Sequence, residues 1–304
     1  MKKAIFAVMI LICATLTAWL LYPSHTDIIP ERIDLWLTEE DRIITLSYRD
    51  YLAGCMFASV SPTSGEEALK AIACAMNTKA LYLMKTTPRS SFMGADLSDD
   101  FYICMPYSSE EAAEMQFGEK YATHKKKIYE AVDFSLSHII TYEGRVISAQ
   151  FCRFSTGLTD SSIEHPYLAE TAIPADEDVK EAVSTRALSA DAVMRTLSKE
   201  SGITALSDKR EKWFSDAVYL PSGTLKEVFF GGKKLSGEEL RKAFGFRSAA
   251  ITIEYTEQRF VFTSLGWGNN LGMSINGACV MARKGADCEE ILSYFYHNTE
   301  LKAI

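Results

Sequence analysis

LGWGNNLGMSINGAC, residues 265–279, places four glycines between a strand-like stretch and a helix-like one, and carries no charged side chain. Glycine reaches positive φ without a Cβ clash and lets backbone come close to a neighbour, so such a loop reads either as a site or as a tight packing turn. Upstream, AAITIEYTEQRFVFTSL alternates apolar and polar residues around Glu257-Gln258, which predicts a hairpin. Downstream, a helix is expected from Ser274, closed by Gly285, with a last helix over Cys288 to His297.

Further out, the run from Ile43 to Val60 reads as a strand leading into a helix. After the SPTSG break, Leu69, Ile72, Met76, Ala80 and Leu83 recur at helical spacing, predicting a long amphipathic helix from about Gly65 to before Pro88. Ser64 and Glu67, and again Ser236 and Glu239, have capping-box spacing. Helix patterns continue from Glu110 to Phe134, with Tyr121, Ile128 and Val132 inward, and a second hairpin is expected around Glu143-Gly144. Ser155 to Glu164 is a loop of small residues. Helical patterns at Ala190 to Glu200 and Glu211 to Val218, then the strand-like TLKEVFF and a GGKK turn, suggest an inserted, mainly helical subdomain at about residues 175–246. The expected class is α+β, an antiparallel sheet with packed helices, occupying residues 33–304.

The composition, 47% hydrophobic and 24% charged, is that of a folded globular chain. A net charge of −8 excludes a nucleic-acid footprint, and the one basic run, Lys125 to Lys127, reads as a solvated helix face. Ala4 to Leu21 is an uncharged apolar run behind Lys2 and Lys3, long enough to span a bilayer at ~1.5 Å per residue. The expectation is a transmembrane anchor over residues 1–22, a stalk over 23–32 and the domain outside the cytoplasm, a single-pass cell-membrane protein. Seven cysteines, one within the apolar run, do not form a disulfide framework.

Four ordered stretches resemble the stage II sporulation protein D family, the SpoIID/LytB domain. Gly266, Trp267, Gly268, Gly272, Met273, Ser274, Gly277 and Ala278 match its GWGHGVGMSQWGA signature. Tyr51 to Gly54 with Glu67 to Ala71, then Ile103 to Tyr107, then FCRFSTGLTD at Phe151 to Asp160, are similar to three more motifs. The resemblance implies action on peptidoglycan glycan strands outside the membrane, either as a lytic transglycosylase or as an enhancer of a cell-wall hydrolase, an amidase.

Glycosidic cleavage needs a proton donor, and the family's donor is a glutamate eight residues before the position of Glu67; here that position is Ser59, which cannot act as a general acid. Ile103, Met105, Cys152 and Asn269 likewise replace the polar residues of the family motifs. Zinc is implied for some members, but Cys104 and Cys152 are the only soft donors left at these positions, too few for a four-coordinate site. The alignment puts the two at neighbouring edges of one cleft, within reach of a disulfide or of a shared soft ion. The substrate-binding candidates are Ser155, Gly157, Thr159, Asp160, Gly268, Asn269, Gly272 and Ser274. Whether the chain is an enzyme stays open. A glycan-binding protein with lost or impaired cleavage is one reading. An active transglycosylase with another acid, Glu66, Glu67 or Asp160, or with Cys152 assisted by His165 or His124, is the other.

Overall fold

The computed structural model describes residues 29–177, 179–198, 203 and 206–304. Strands β1 (Arg32–Leu37) and β2 (Arg42–Ser47) form an antiparallel pair that feeds directly into α1 (Tyr48–Ser59), where the Ser47 hydroxyl accepts from the Asp50 amide. Helix α2 (Glu66–Thr86) follows, then β3 (Leu97–Ser98), which adds to β1 in parallel. Helices α3 (Glu110–Phe117) and α4 (Tyr121–Ser135) lead to β4 (His138–Tyr142) and β5 (Arg145–Val146). Glu143 and Gly144 turn that hairpin with φ of 50° and 75°, the left-handed values that a tight two-residue turn demands.

Helix α2 is the axis of the first core. Its apolar face is buried against α1 and α4, with Leu69, Ile72, Met76 and Ala80 all inaccessible. A fully surrounded helix must also satisfy whatever polar groups it carries. Asn77 receives the Tyr48 hydroxyl at 2.8 Å and donates to the carbonyls of Ser135 at 2.7 Å and His138 at 3.2 Å, tying α1, α4 and β4 to one side chain. The Thr78 hydroxyl donates to Cys74 and accepts from the Ile140 amide.

After β6 (Phe151–Cys152) the chain enters a second body with its own core. Strands β7 (Val183–Ser189), β11 (Ala250–Thr256) and β12 (Arg259–Leu265) make one sheet in the order β11-β12-β7, and β8 (Phe214–Tyr219), β9 (Leu225–Phe230) and β10 (Lys233–Leu235) make another in the order β10-β9-β8. Helices α5 (Ala190–Leu197) and α6 (Gly237–Phe244) pack against these sheets. Val193, Leu240, Phe230, Phe260 and Phe262 fill the interior. The chain returns to the first core through β13 (Met273–Ser274), parallel to β6, then α7 (Ile275–Arg283), α8 (Cys288–Phe295) and β14 (Glu300–Ala303), which closes on β4.

Several expectations are corrected. The fold is mixed α+β, but the described residues form five small sheets with two parallel strand pairings rather than one antiparallel sheet. The fold contains no observed transmembrane helix: no helix among the described residues is long and apolar enough to cross a membrane, and the Ala4 to Leu21 run lies outside them. The second body is β-rich, not mainly helical. Phe214 to Tyr219 is a strand, because its aromatic and β-branched residues pair with β9 through a bulged register that breaks simple alternation. Helix α2 begins without a capping box; Gly65 holds the cap position and the Ser64 hydroxyl instead accepts from the Cys279 thiol. The box at Ser236 and Glu239 does form.

Replacing Asn77 with Ala strands the Tyr48 hydroxyl and two carbonyls in a dry interior. The expected loss is about 2–4 kcal/mol in urea unfolding, against less than about 1 kcal/mol for an exposed control such as Glu130→Ala.

Candidate functional site

The sequence between β12 and α7 laces three segments together. Trp267 exchanges backbone hydrogen bonds with Arg153 and Phe154 beyond β6, and the Gly268 amide donates to the Arg247 carbonyl at 2.9 Å. Gly268 has φ of 135°, and a Cβ there would lie 2.4 Å from the Cys152 Cβ and 2.8 Å from its Cα. No side chain fits. Ser274 caps α7, its hydroxyl accepting from the Gly277 amide at 3.0 Å.

These contacts create a cavity of about 290 Å³ where the two bodies meet. The first core contributes Ser59 at the end of α1, Lys79 from α2, and Cys104; β6 and the residue after it contribute Cys152 and Arg153. The second body contributes Arg241 from α6 with Phe246 and Arg247, and Trp267 and Gly268 close the wall. A smaller adjoining pocket shares Ser59 and Arg153 and continues over Ser61, Thr63, Ser64 and Arg283.

Lys79 follows Asn77 and Thr78 on the same buried turn, yet unlike them it makes no hydrogen bond or ion pair; it is 6% exposed, with its ammonium 4.9 Å from the centre of the Phe151 ring. Burial, aided by the nearby Arg241 charge, pulls its pKa down to about 8. Arg241 is 2% exposed; it pairs with Glu238 at 3.1 Å and covers the Tyr102 ring, while its Nε has no partner. The Ser59 hydroxyl is also buried without a partner. Arg153 and Arg247 lie over Trp267, 4.9 and 4.2 Å from a ring centre. Burial pushes the Cys104 thiol up to about 11 and raises that of Cys152 further.

Of the residues singled out in the sequence, Ser59, Cys104, Cys152 and Gly268 come together at this cavity. Cys104 and Cys152 are free thiols. Zinc does not fit here: both thiols are held protonated and face Lys79 and Arg241, and among the described residues no three His, Cys, Asp or Glu are grouped to hold a metal.

The remaining candidates lie in the scaffold around the cavity. Ser155 donates its amide and hydroxyl to Asp176 at 2.8 and 2.7 Å, and Gly157 turns behind it with φ of 97°. Thr159 is buried against Thr171, whose amide it accepts at 3.0 Å. Asp160 accepts from the hydroxyls of Ser222 and, at 2.7 Å, Thr224, clasping the second body to the first. Asn269 donates to Gln150 at 2.9 Å, and Gly272 turns beside it. Glu67 accepts from Lys70 and from the Cys288 amide, so it fastens α8, and Glu66 pairs with Lys70 at the surface. His124 packs between Phe57 and Phe117, and His165 against Tyr82 and Tyr167; neither lines the cavity.

Four contributors went unrecognised in the sequence: Lys79, Asp176, Arg241 and Arg247. Lys79 carried a signal, a polar triplet interrupting an apolar helix. Asp176, which also accepts from Asn276 at 2.8 Å, and the arginines from the second body had none, because only the tertiary fold delivers them.

Lys79 titrates at about 10.5 unfolded and about 8 folded. Its burial therefore lowers stability below pH 8, and the penalty fades as pH rises from about 8 to about 10.5. Lys79→Met is expected to be more stable than the unchanged protein at pH 7, on the order of 1–3 kcal/mol, with the gain shrinking by pH 10; equal gains at both pH values in urea unfolding would contradict this. Gly268→Ala should cost about 2–4 kcal/mol, well above Gly285→Ala, whose added Cβ meets nothing within 4 Å.

The chain is similar to several known proteins. The family described as "Stage II sporulation protein" matches residues 38–142, from β2 through α2 to β4. Stage II sporulation protein D of Bacillus subtilis is 27% identical over 278 residues, covering 90% of this chain and 79% of the relative. The protein of the same name from Bacillus amyloliquefaciens is 26% identical over 277 residues, with the same coverage. An uncharacterized protein of Brachyspira hyodysenteriae is 24% identical over 271 residues, 84% of this chain and 67% of the relative. The chain is thus similar to stage II sporulation protein D over nine-tenths of its length, and the family's model matches the stretch that contains α1, α2 and Cys104.

Proposed function

We propose that this protein binds peptidoglycan glycan strands in the cavity and its adjoining pocket, outside the cytoplasm, in wall remodelling during sporulation, and that it does so without cleaving them. The observation that carries the reading is the cavity's lining: it includes Ser59, where the resemblance puts the family's acid, and among the described residues neither Asp nor Glu lines either pocket. General acid catalysis supplies a typical ~10²–10⁴-fold of the rate, and a serine hydroxyl cannot supply it. The hydroxyls of Ser59, Ser61 and Thr63 suit hydrogen bonding to sugars. A wall hydrolase that this protein holds on its substrate is a partner consistent with binding alone.

One observation favours a second reading. Lys79 is the lining group whose pKa is drawn toward neutrality, so an ammonium rather than a carboxylic acid would give up the proton in an active transglycosylase.

Incubation with peptide-stripped and intact peptidoglycan separates the two. Pelleting with the wall material and no shortened glycan products is expected, and Ser59→Glu should restore slow cleavage at best, because the groups that orient substrate around a family acid are replaced. Robust cleavage by the unmodified protein, abolished by Lys79→Met, would instead establish the second reading. Protease added to spheroplasts should digest the domain; full protection would overturn the extracytoplasmic placement.

A further inference from the structure

Two thiols of the first core take no part in the site. Cys74 lies midway along α2 and Cys288 opens α8, and neither lines the cavity or its adjoining pocket. The fold sets them face to face. Glu67 and Cys74 stand two helical turns apart on α2, so they share one side of that helix. The Glu67 carboxylate accepts from the Cys288 amide at 3.0 Å, which fixes the start of α8 against that side. Further along the same side, the Cys74 thiol is hydrogen-bonded to the Cys288 thiol. Both side chains are buried in one apolar cluster, and both sulfurs are free. Other cysteines meet other groups: the Cys279 thiol donates to the Ser64 hydroxyl at 3.4 Å, and Cys152 backs Gly268. The facing sulfur, with burial behind it, raises the Cys74 pKa and keeps that group a thiol.

We propose that Cys74 and Cys288 are an oxidisable pair that closes into a disulfide when the domain folds in an oxidising compartment, stapling α8 to α2. A disulfide needs two sulfurs that the backbone already brings together, and the Glu67 contact does that here before any bond forms. The oxidant is itself a disulfide, carried by a small molecule or by a thiol oxidase. The Cys288 thiolate attacks one of its sulfurs and releases the first thiol; Cys74, giving up its proton, then attacks the Cys288 sulfur of the mixed disulfide and releases the second. Two electrons pass to the oxidant, and the two protons leave on the two released thiols. Both sulfurs are shielded once α8 is seated, so the exchange belongs to folding, and the finished bond lies out of reach of reductants. The bond closes a loop of roughly two hundred residues, the kind whose closure removes most entropy from the unfolded chain. It also steadies the glycine loop from behind. Phe295 of α8 lies against Gly277, and the Tyr296 hydroxyl just beyond donates to the Gln150 carbonyl at 2.8 Å, beside Gly272.

The test refolds the full-length protein from urea, once with a mixture of oxidised and reduced glutathione and once with reductant alone. Free thiols are then alkylated under denaturing conditions and the peptides mapped by mass spectrometry. The expected result is a cross-link between Cys74 and Cys288 after oxidative refolding and none after reductive refolding, with the cross-linked form melting on the order of 5–10 °C higher. Cys74→Ala and Cys288→Ala should each abolish the cross-link and melt alike under the two regimes. Full alkylation of both cysteines after oxidative refolding would overturn the proposal, as would a cross-link joining either one to a different cysteine. A bond between the two that leaves the melting temperature unchanged would overturn the staple. Should either variant fail to fold, the two regimes applied to the unmodified protein decide alone. Refolding needs no particular compartment, so this outcome and the spheroplast test of placement fail separately.

Discussion

Everything in the first core hangs on a helix surrounded by protein. Burying the middle of α2 gives the fold its apolar interior, and it obliges each polar side chain there to find a partner inside. Asn77 meets this demand by reaching α1, α4 and β4 at once, and Thr78 by bonding its own helix and the strand beside it. The third residue of the triplet, Lys79, is left to the cavity. One short segment thus sets both the rigidity of the scaffold and the character of the site, because the two satisfied residues fix the turn that presents the unsatisfied one.

The glycine loop does for backbone what Asn77 does for side chains. Its hydrogen bonds to residues 153, 154 and 247 hold the two bodies at a separation that only a missing Cβ at residue 268 allows. The cavity is the space left around that contact. Its polar character comes from the chain passing through both bodies: the floor from α1 and α2, the far wall from α6 and the turn after it.

Much of this was legible in the sequence, for physical reasons that differ by element. The axis helix was visible because a 3.6-residue apolar period persists for about four turns, and the hairpins at Glu143-Gly144 and Glu257-Gln258 because alternation reverses about two residues that adopt left-handed φ. The strand Phe214 to Tyr219 was misread because its bulge disrupts the two-residue period that marks a strand. At the site, Ser59, Cys104, Cys152 and Gly268 were found through motif positions. Lys79, Arg241 and Arg247 were not, since a cation's significance lies in what it lacks around it, and that is a property of the fold. Asp160 stood among the substrate-binding candidates, whereas its partners, Ser222 and Thr224, sit some sixty residues away in a separate body.

That clasp has a mechanical meaning. Lys79 belongs to one body and Arg241 to the other, and the charge of the second bears on the first across the cavity between them. Asp160, with Ser222 and Thr224, pulls across the same boundary from behind. The junction thus carries two cations at the cavity and a hydrogen-bonded tether at Asp160, and an anion seated between the cations would add a second link across it. The stiffness of the boundary between the bodies would then report occupancy of the cleft directly.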